Sequence, residues 1–134
     1  MRILVTGDRH WTDKFFINKI LREIWYELDE FGIPLVIIHG CAKGADSIAG
    51  EIGEKQGLEV IKFPASWHKH GRAAGPIRNQ LMLDEGKPDL VIAFHDNIIE
   101  SKGTKDMVNR AQKAGIETRV YSHSTVCRET PGRF

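Results

Sequence analysis

The chain has 134 residues, which suits one compact domain burying roughly two-thirds of its unfolded surface. Apolar residues make up 41%, too many for a disordered chain, and 19 basic against 18 acidic residues leave a net charge of +1. That balance excludes a global electrostatic case for nucleic acid or an anionic membrane and leaves room only for a local basic patch.

Residues 2–6, RILVT, form a short β-branched-rich run that ends at Gly7 and predict the first strand. Over residues 14–31 the period changes. Phe16, Ile20, Ile24, Leu28 and Phe31 fall on one stripe, widened by Ile17, Leu21 and Trp25, which predicts a long amphipathic helix. Thr12 or Asp13 can cap it, and Gly32 ends it. Residues 35–38, LVII, predict a second strand closed by His39 and Gly40. Residues 45–56 read as a weaker helix, because Gly50 and Gly53 each cost about 1 kcal/mol relative to alanine unless close packing offsets them.

Residues 58–62 give a third strand, closed by Pro64. A helix follows over 76–85, with Gly75 and Pro76 at its start and Ile77, Leu81 and Met82 expected to anchor it. Residues 89–94, DLVIAF, predict a fourth strand, 104–114 a further helix, and 116–121 a fifth strand. The sequence divides into a domain over 1–121 and a polar C-terminal extension over 122–134. Five strands separated by helices imply parallel βαβ units in a right-handed three-layer α/β sandwich. The expected strand order is 3-2-1-4-5, with a ligand crevice at the strands' carboxyl ends beside the reversal between strands 1 and 4.

The unusual polar stretches follow strands and therefore collect at that edge. TGDRHWTD follows strand 1. There Arg9 suits a phosphate or a base face, or a structural pair with an aspartate, while Trp11 fits the core better than a ligand wall. HGCAKGAD follows strand 2. Gly40 permits a tight turn, Gly44 allows backbone to approach a ligand, and Asp46 can cap the next helix, accept a ribose hydroxyl or act on bound water. This loop lacks both GxxxxGK[ST] and GxGxxG spacing.

FPASWHKHGRAAGPIRN follows strand 3. Trp67 can stack on a base or anchor the loop, and Arg78 with Asn79 stands near a helix start as a ligand-facing pair. FHDNIIESKGT follows strand 4, with Gly103 and Thr104 suited to phosphate and Asp106 in a first helical turn where the macrodipole favours a carboxylate. Cys41 and Cys127 form no disulfide framework, and neither they nor the dispersed histidines have metal-ligand spacing. With no secretory h-region and no apolar run near 18 residues, a cytoplasmic protein with reduced thiols, no membrane, no metal and no cofactor is expected.

Taken in order, TGDRHW, HGCAKGAD, FPASWHKHGRAAGPIRNQLML and AFHDNIIESKGTKDMV resemble the YspA-like branch of the SLOG superfamily across about residues 1–121. The resemblance implies a Rossmann-like fold and a nucleotide or nucleotide-derived ligand. It extends more distantly to the cytokinin-activating phosphoribohydrolases and to DprA. Arg78 resembles the phosphoribohydrolase arginine on the helix after strand 3, and Gly103-Thr104 the GT of their PGGxGTxxE loop. Ile99, Glu100, Ser101 and Lys102 stand before that GT instead of Pro-Gly-Gly, and Asp106 stands nearest the glutamate.

A ribose phosphate attached to a base is therefore the expected ligand. Phosphate would lie near Gly44, Gly75 and Gly103 with Arg9 and Arg78, the base on Trp67, and Gly7 and Gly40 would belong to the same ligand site. Binding as a sensor or effector-coupling domain is the leading expectation. The alternatives are cleavage of an N-glycosidic bond with Asp106 or Asp46 as the essential acid, and binding of single-stranded nucleic acid. Nucleic acid is raised by the DprA resemblance and not by the net charge. The glycine-containing helix at 45–56 leaves open a homo-oligomer.

Overall fold

The computed structural model describes residues 1–124; the part of the expected extension over 125–134, with Cys127, lies outside the described residues. The elements run β1 (Arg2–Gly7), α1 (Lys14–Glu30), β2 (Val36–His39), α2 (Ala45–Lys55), β3 (Glu59–Lys62), α3 (Trp67–His70), α4 (Ala74–Gly86), β4 (Leu90–Phe94), α5 (Gly103–Lys113) and β5 (Glu117–Tyr121). Short 3₁₀ turns cover Gly71–Ala73 and Ile98–Glu100. All neighbouring strand pairs are parallel and the sheet order is β3-β2-β1-β4-β5, as the alternation of strands and helices predicts.

Strand alternation builds the two apolar layers. Ile3, Val5, Ile37, Ile92 and Phe94 face α1 and α2, where they meet Ile17, Leu21, Ile24 and Ala49. Leu4, Ile38 and Val91 face the other way, onto Met82 and Leu83 of α4 and Met107 and Ala111 of α5. A sheet covered on both faces needs apolar residues at consecutive strand positions, which is why LVIAF is buried throughout.

Asp13 caps α1 by accepting from the Phe16 amide at 3.0 Å. Gly32 follows the helix with φ +67°, where a side chain would be strained. Gly50 and Gly53 are explained by packing. A Cβ at Gly50 would lie 2.5 Å from the His39 imidazole, and one at Gly53 would lie 2.9 Å from Val60.

Two apolar expectations are corrected. Phe31 falls just past the end of α1 and is 77% exposed. In α4 the inward residues are Ala74, Asn79, Met82, Leu83 and Gly86. Admitting Asn79 to the inner face turns Ile77 and Leu81 outward, to 44% and 40% exposure. The helix begins two residues earlier than expected, at Ala74, so Pro76 sits in the first turn, where its missing N–H forfeits no helical bond.

Trp11 belongs to the core. It is 5% exposed, its indole Nε1 donates to the Asp13 carbonyl at 3.0 Å, and its ring packs against Phe16 and Phe94. His123 stacks on it with ring centroids 4.4 Å apart. The His123 ring nitrogens lie 2.8 Å from Asp96 Oδ2 and 2.9 Å from Asp13 Oδ2. Its hydrogen bonds to Asp96 and Asp13 hold its pKa above the ordinary histidine value. This contact ties the residues after β5 to the loops after β1 and β4. Among the described residues no helix is long and apolar enough to cross a membrane.

Candidate functional site

The strand-end loops enclose a cleft of about 730 Å³ at the carboxyl edge of the sheet. It lies where β1 and β4 adjoin and their following loops part to opposite sides, the position at which parallel α/β sheets leave a crevice. Its floor carries buried polar groups, with Asp46 and Asn79 each 4% exposed and Thr104 5% exposed. Its rim carries exposed side chains: Trp67 at 61%, and Arg9, Arg72 and Lys102.

The loop after β1 is held close by glycine. Gly7 lines the cleft, and a Cβ there would collide with the Phe94 carbonyl and lie 2.7 Å from Ala45. Arg9 projects from the same loop, and the Asp8 carboxylate accepts from the His10 amide at 2.9 Å. Gly44, at φ +79°, packs against the Asp8–Arg9 backbone, where a Cβ would lie 2.6 Å from the Arg9 carbonyl carbon. Its function in the fold is to join the loops after β1 and β2. It is not among the cleft's lining residues, and neither are Gly40 and Arg78.

Arg78 turns from the cleft toward β2. Its Nη1 donates to the Gly40 carbonyl, and its Nε donates to Asn79 Oδ1 at 3.0 Å. Gly40 makes room for this guanidinium, since a Cβ there would sit 2.5 Å from Nη1. Asn79 then donates through Nδ2 to Asp106 Oδ2 at 3.0 Å and to the Gly103 carbonyl at 3.3 Å. Asp106 Oδ2 also accepts from Arg110 Nε at 2.8 Å, and Arg110 Nη1 donates to Gln80 Oε1 at 2.9 Å. One polar chain thus runs from the end of β2 through α4 to α5. Buried polar groups demand such partners, so the chain fixes where the two helices start relative to each other.

Asp46 stands in the first turn of α2 and accepts from the Gly40 amide at 3.0 Å. Burial pushes its pKa up to about 6, against the opposing pull of the Gly40 amide and the nearby Arg78 charge. A carboxyl with this value changes protonation state near neutral pH, which suits either hydroxyl binding or proton transfer. Behind it, His39 accepts from the Cys41 amide through Nδ1 at 3.0 Å, and its Nε2 is buried without a partner. Burial, followed by the Lys62 charge, holds His39 below its ordinary pKa and hence neutral.

The starts of α2 and α5 are partly satisfied from within. The Ala45 amide donates to the Asp8 carbonyl at 3.2 Å. Ser101 Oγ accepts from the Thr104 and Lys105 amides at 3.0 and 3.3 Å. Gly103 has open space where a Cβ would be, and Gly75 faces Trp67, with the indole 3.5 Å from its Cβ position.

Of the residues singled out from sequence, Gly7, Arg9, Asp46, Trp67, Gly75, Asn79, Gly103, Thr104 and Asp106 line one cleft. Arg72, Ser101 and Lys102 line it too and were not in the expected set. Arg72 had no signal beyond its place in a strand-end segment, whereas Ser101 and Lys102 stand directly before Gly103-Thr104 in SKGTKD.

Comparison with known proteins bears on both the fold and the family. DNA processing protein A (DprA) from Streptococcus pneumoniae superposes with a TM-score of 0.68 at 18% identity, over 90% of this chain and 49% of that one. The chain therefore spans about half the length of that protein, and the likeness establishes a shared fold. The Gene 61 protein of Mycobacterium phage D29 is 37% identical over 120 residues, covering 86% of this chain and 91% of that protein. Residues 1–70, which hold β1, β2, β3 and the first two cleft loops, match the YspA, cpYpsA-related SLOG family, and the chain belongs to that family.

Proposed function

We propose that the cleft binds a nucleotide or a related ribose-phosphate ligand, and that the chain acts as a sensor or effector-coupling domain. The observation that carries this reading is the composition of one crevice of about 730 Å³ at the β1/β4 switch point, which combines buried hydrogen-bonding groups, an exposed indole and cations without a partner among the described residues. That volume falls within the range of ligand sites. Trp67 suits a base face, and Asp46 and Thr104 suit sugar hydroxyls. The family membership supports the same reading.

Cleavage of an N-glycosidic bond requires a free carboxylate and a phosphate-holding arginine. Asp106 Oδ2 already accepts from Asn79 and Arg110, and Arg78 is engaged with Gly40 and Asn79. Those engagements count against Asp106 and Arg78 as the reacting pair and leave Asp46 as the carboxyl that turnover would need. The test is a calorimetric and mass-spectrometric screen of metal-free protein against nucleotides and nucleotide-derived compounds. Binding near the micromolar range is expected, about −8 kcal/mol at 1 μM. A broad screen without a binder sinks the reading. Release of free base and ribose phosphate from a nucleoside monophosphate, lost in Asp106→Asn or Asp46→Asn, replaces it with the enzyme.

A further inference from the structure

We infer that the ligand carries more than one phosphate, gripped by Arg9, Arg72 and Lys102 at the rim. The inference rests on the nucleotide reading and narrows its ligand class. Among the described residues none of these three side chains has a hydrogen bond or an ion pair, although all three line the cleft. An exposed cation without a partner is common on a surface. Three lining one crevice from three separate loops, none with a partner among the described residues, are free to meet an anion there.

Asp106 is offset by the Arg110 guanidinium, whereas hydrogen bonds from backbone amides do not neutralise Asp8 or Asp46, so an anion is held at the rim, on the cations themselves. Asp8 accepts from the His10 amide, Asp46 from the Gly40 amide, and Asp106 from Asn79 and Arg110. Glu100 is the exposed acid on the rim, two residues before Lys102. The helix starts contribute less than their position promises, because Ser101 Oγ takes two amides of α5 and the Asp8 carbonyl takes the first amide of α2. Anion recognition is left to the side chains.

Their origin brings the cations into the crevice from different strand ends. Arg72 follows β3, Arg9 follows β1 and Lys102 follows β4, in a sheet ordered β3-β2-β1-β4-β5. Three strand spacings separate β3 from β4, roughly 14 Å. One phosphate engages one end of such an array. A diphosphate, or a diphosphate-linked nucleotide, spreads its charge along it, and with Trp67 on the same arm as Arg72 the base end lies toward the β3 side.

The test is calorimetric titration with AMP and with ADP at low and at high salt, on the wild-type protein and on the double variant Arg72→Ala/Lys102→Ala. ADP is expected to bind at least about tenfold more tightly than AMP, since the second phosphate gains charge-assisted hydrogen bonds. The gap should narrow with salt and close in the double variant. Equal affinities for AMP and ADP, or a gap that survives the double variant, overturn the inference and leave the nucleotide reading standing. Binding of neither overturns the inference, and the nucleotide reading then stands or falls with the broad screen. A thymidine oligonucleotide that binds more tightly than ADP through the same two cations also overturns it, and assigns the rim to a nucleic acid.

Discussion

At the floor of the cleft, Asp46, Asn79 and Asp106 each hold donors or acceptors of the protein itself, whereas at the rim Arg9, Arg72 and Lys102 hold none among the described residues. Both groups are polar, both follow strands and both face one space. They differ in what water had to be replaced with. A buried amide or carboxylate is stable only if the protein supplies its hydrogen bonds, so the floor is committed to the fold before any ligand arrives. An exposed guanidinium keeps its water and can exchange it for an anion at small cost. Polar character alone therefore does not mark a contact residue; burial and existing partners divide the two classes.

The largest effects are expected where the floor is cut. Asn79→Ala removes the acceptor of Arg78 Nε and the donor to Asp106 and to the Gly103 carbonyl, inside a site with 4% exposure. A loss of about 2–4 kcal/mol is expected, read from the denaturant midpoint. Asn79→Asp should be at least as damaging at neutral pH, because it sets a carboxylate against Asp106, and should recover partly in acid as one of the two takes a proton. Wild-type stability in either variant would mean that the floor is not a structural unit. Gly40→Ala acts on the same chain by driving a methyl group to 2.5 Å from the Arg78 Nη1, at a cost of about 1–3 kcal/mol.

Asp46 sharpens the comparison through pH. Its folded-state pKa of about 6 lies above the ordinary value of 3.8, so ionisation is harder in the folded chain than in the unfolded one. Its contribution to stability is therefore fully present below pH 3.8 and is lost as the pH rises through about 6. Asp46→Asn keeps an oxygen for the Gly40 amide and removes the charge. The variant should gain on the wild type between those two values, by on the order of 1–3 kcal/mol at neutral pH. A stability difference that does not change with pH would show that the carboxylate is not disfavoured by burial.

Much of the fold was legible because it rests on period and apolar content. Runs such as LVIAF announce a sheet covered on both faces, and the stripe from Phe16 to Leu28 announces a helix, so the five strands follow, while their order rests on the habit of doubly wound sheets. The short α3 and the 3₁₀ turn beside it were not legible, for they span four and three residues and bury none of them. The roles of Gly40 and Gly44 were hidden for a different reason. A glycine that lets a ligand approach and a glycine that lets a guanidinium or a neighbouring backbone approach look alike in a sequence. The burial of Asn79 was hidden in the same way: a helix position reads as inward when apolar, and Asn79 lines the cleft from an inward position because Arg78 and Asp106 satisfy it. Arg72 carries no pattern of its own and Lys102 was visible only beside Gly103-Thr104; the tertiary arrangement brings both to the cleft.

Between floor and rim stands Ser101, whose hydroxyl accepts from the first-turn amides of Thr104 and Lys105. Ser101→Ala is expected to cost about 1 kcal/mol, as the loss of a helix cap does. It should also free those two amides for an anion. The variant thus melts earlier and binds ADP no more weakly than the wild type. A variant that loses ADP affinity would make the hydroxyl itself a ligand contact.

The smallest stability effect is expected at the rim, and it is the most discriminating. Arg72→Ala and Lys102→Ala, singly and together, should change the unfolding free energy by less than about 0.5 kcal/mol, because neither side chain has a partner to lose among the described residues. The removed cations should nevertheless lower ADP affinity by about tenfold for the pair. Stability and affinity would then separate cleanly across the cleft, with Asn79 moving the first and Arg72 with Lys102 moving the second. Should the rim variants melt well below the wild type, the cations would have protein partners after all. The distinction between a committed floor and an available rim would then fail at the residues on which it depends most.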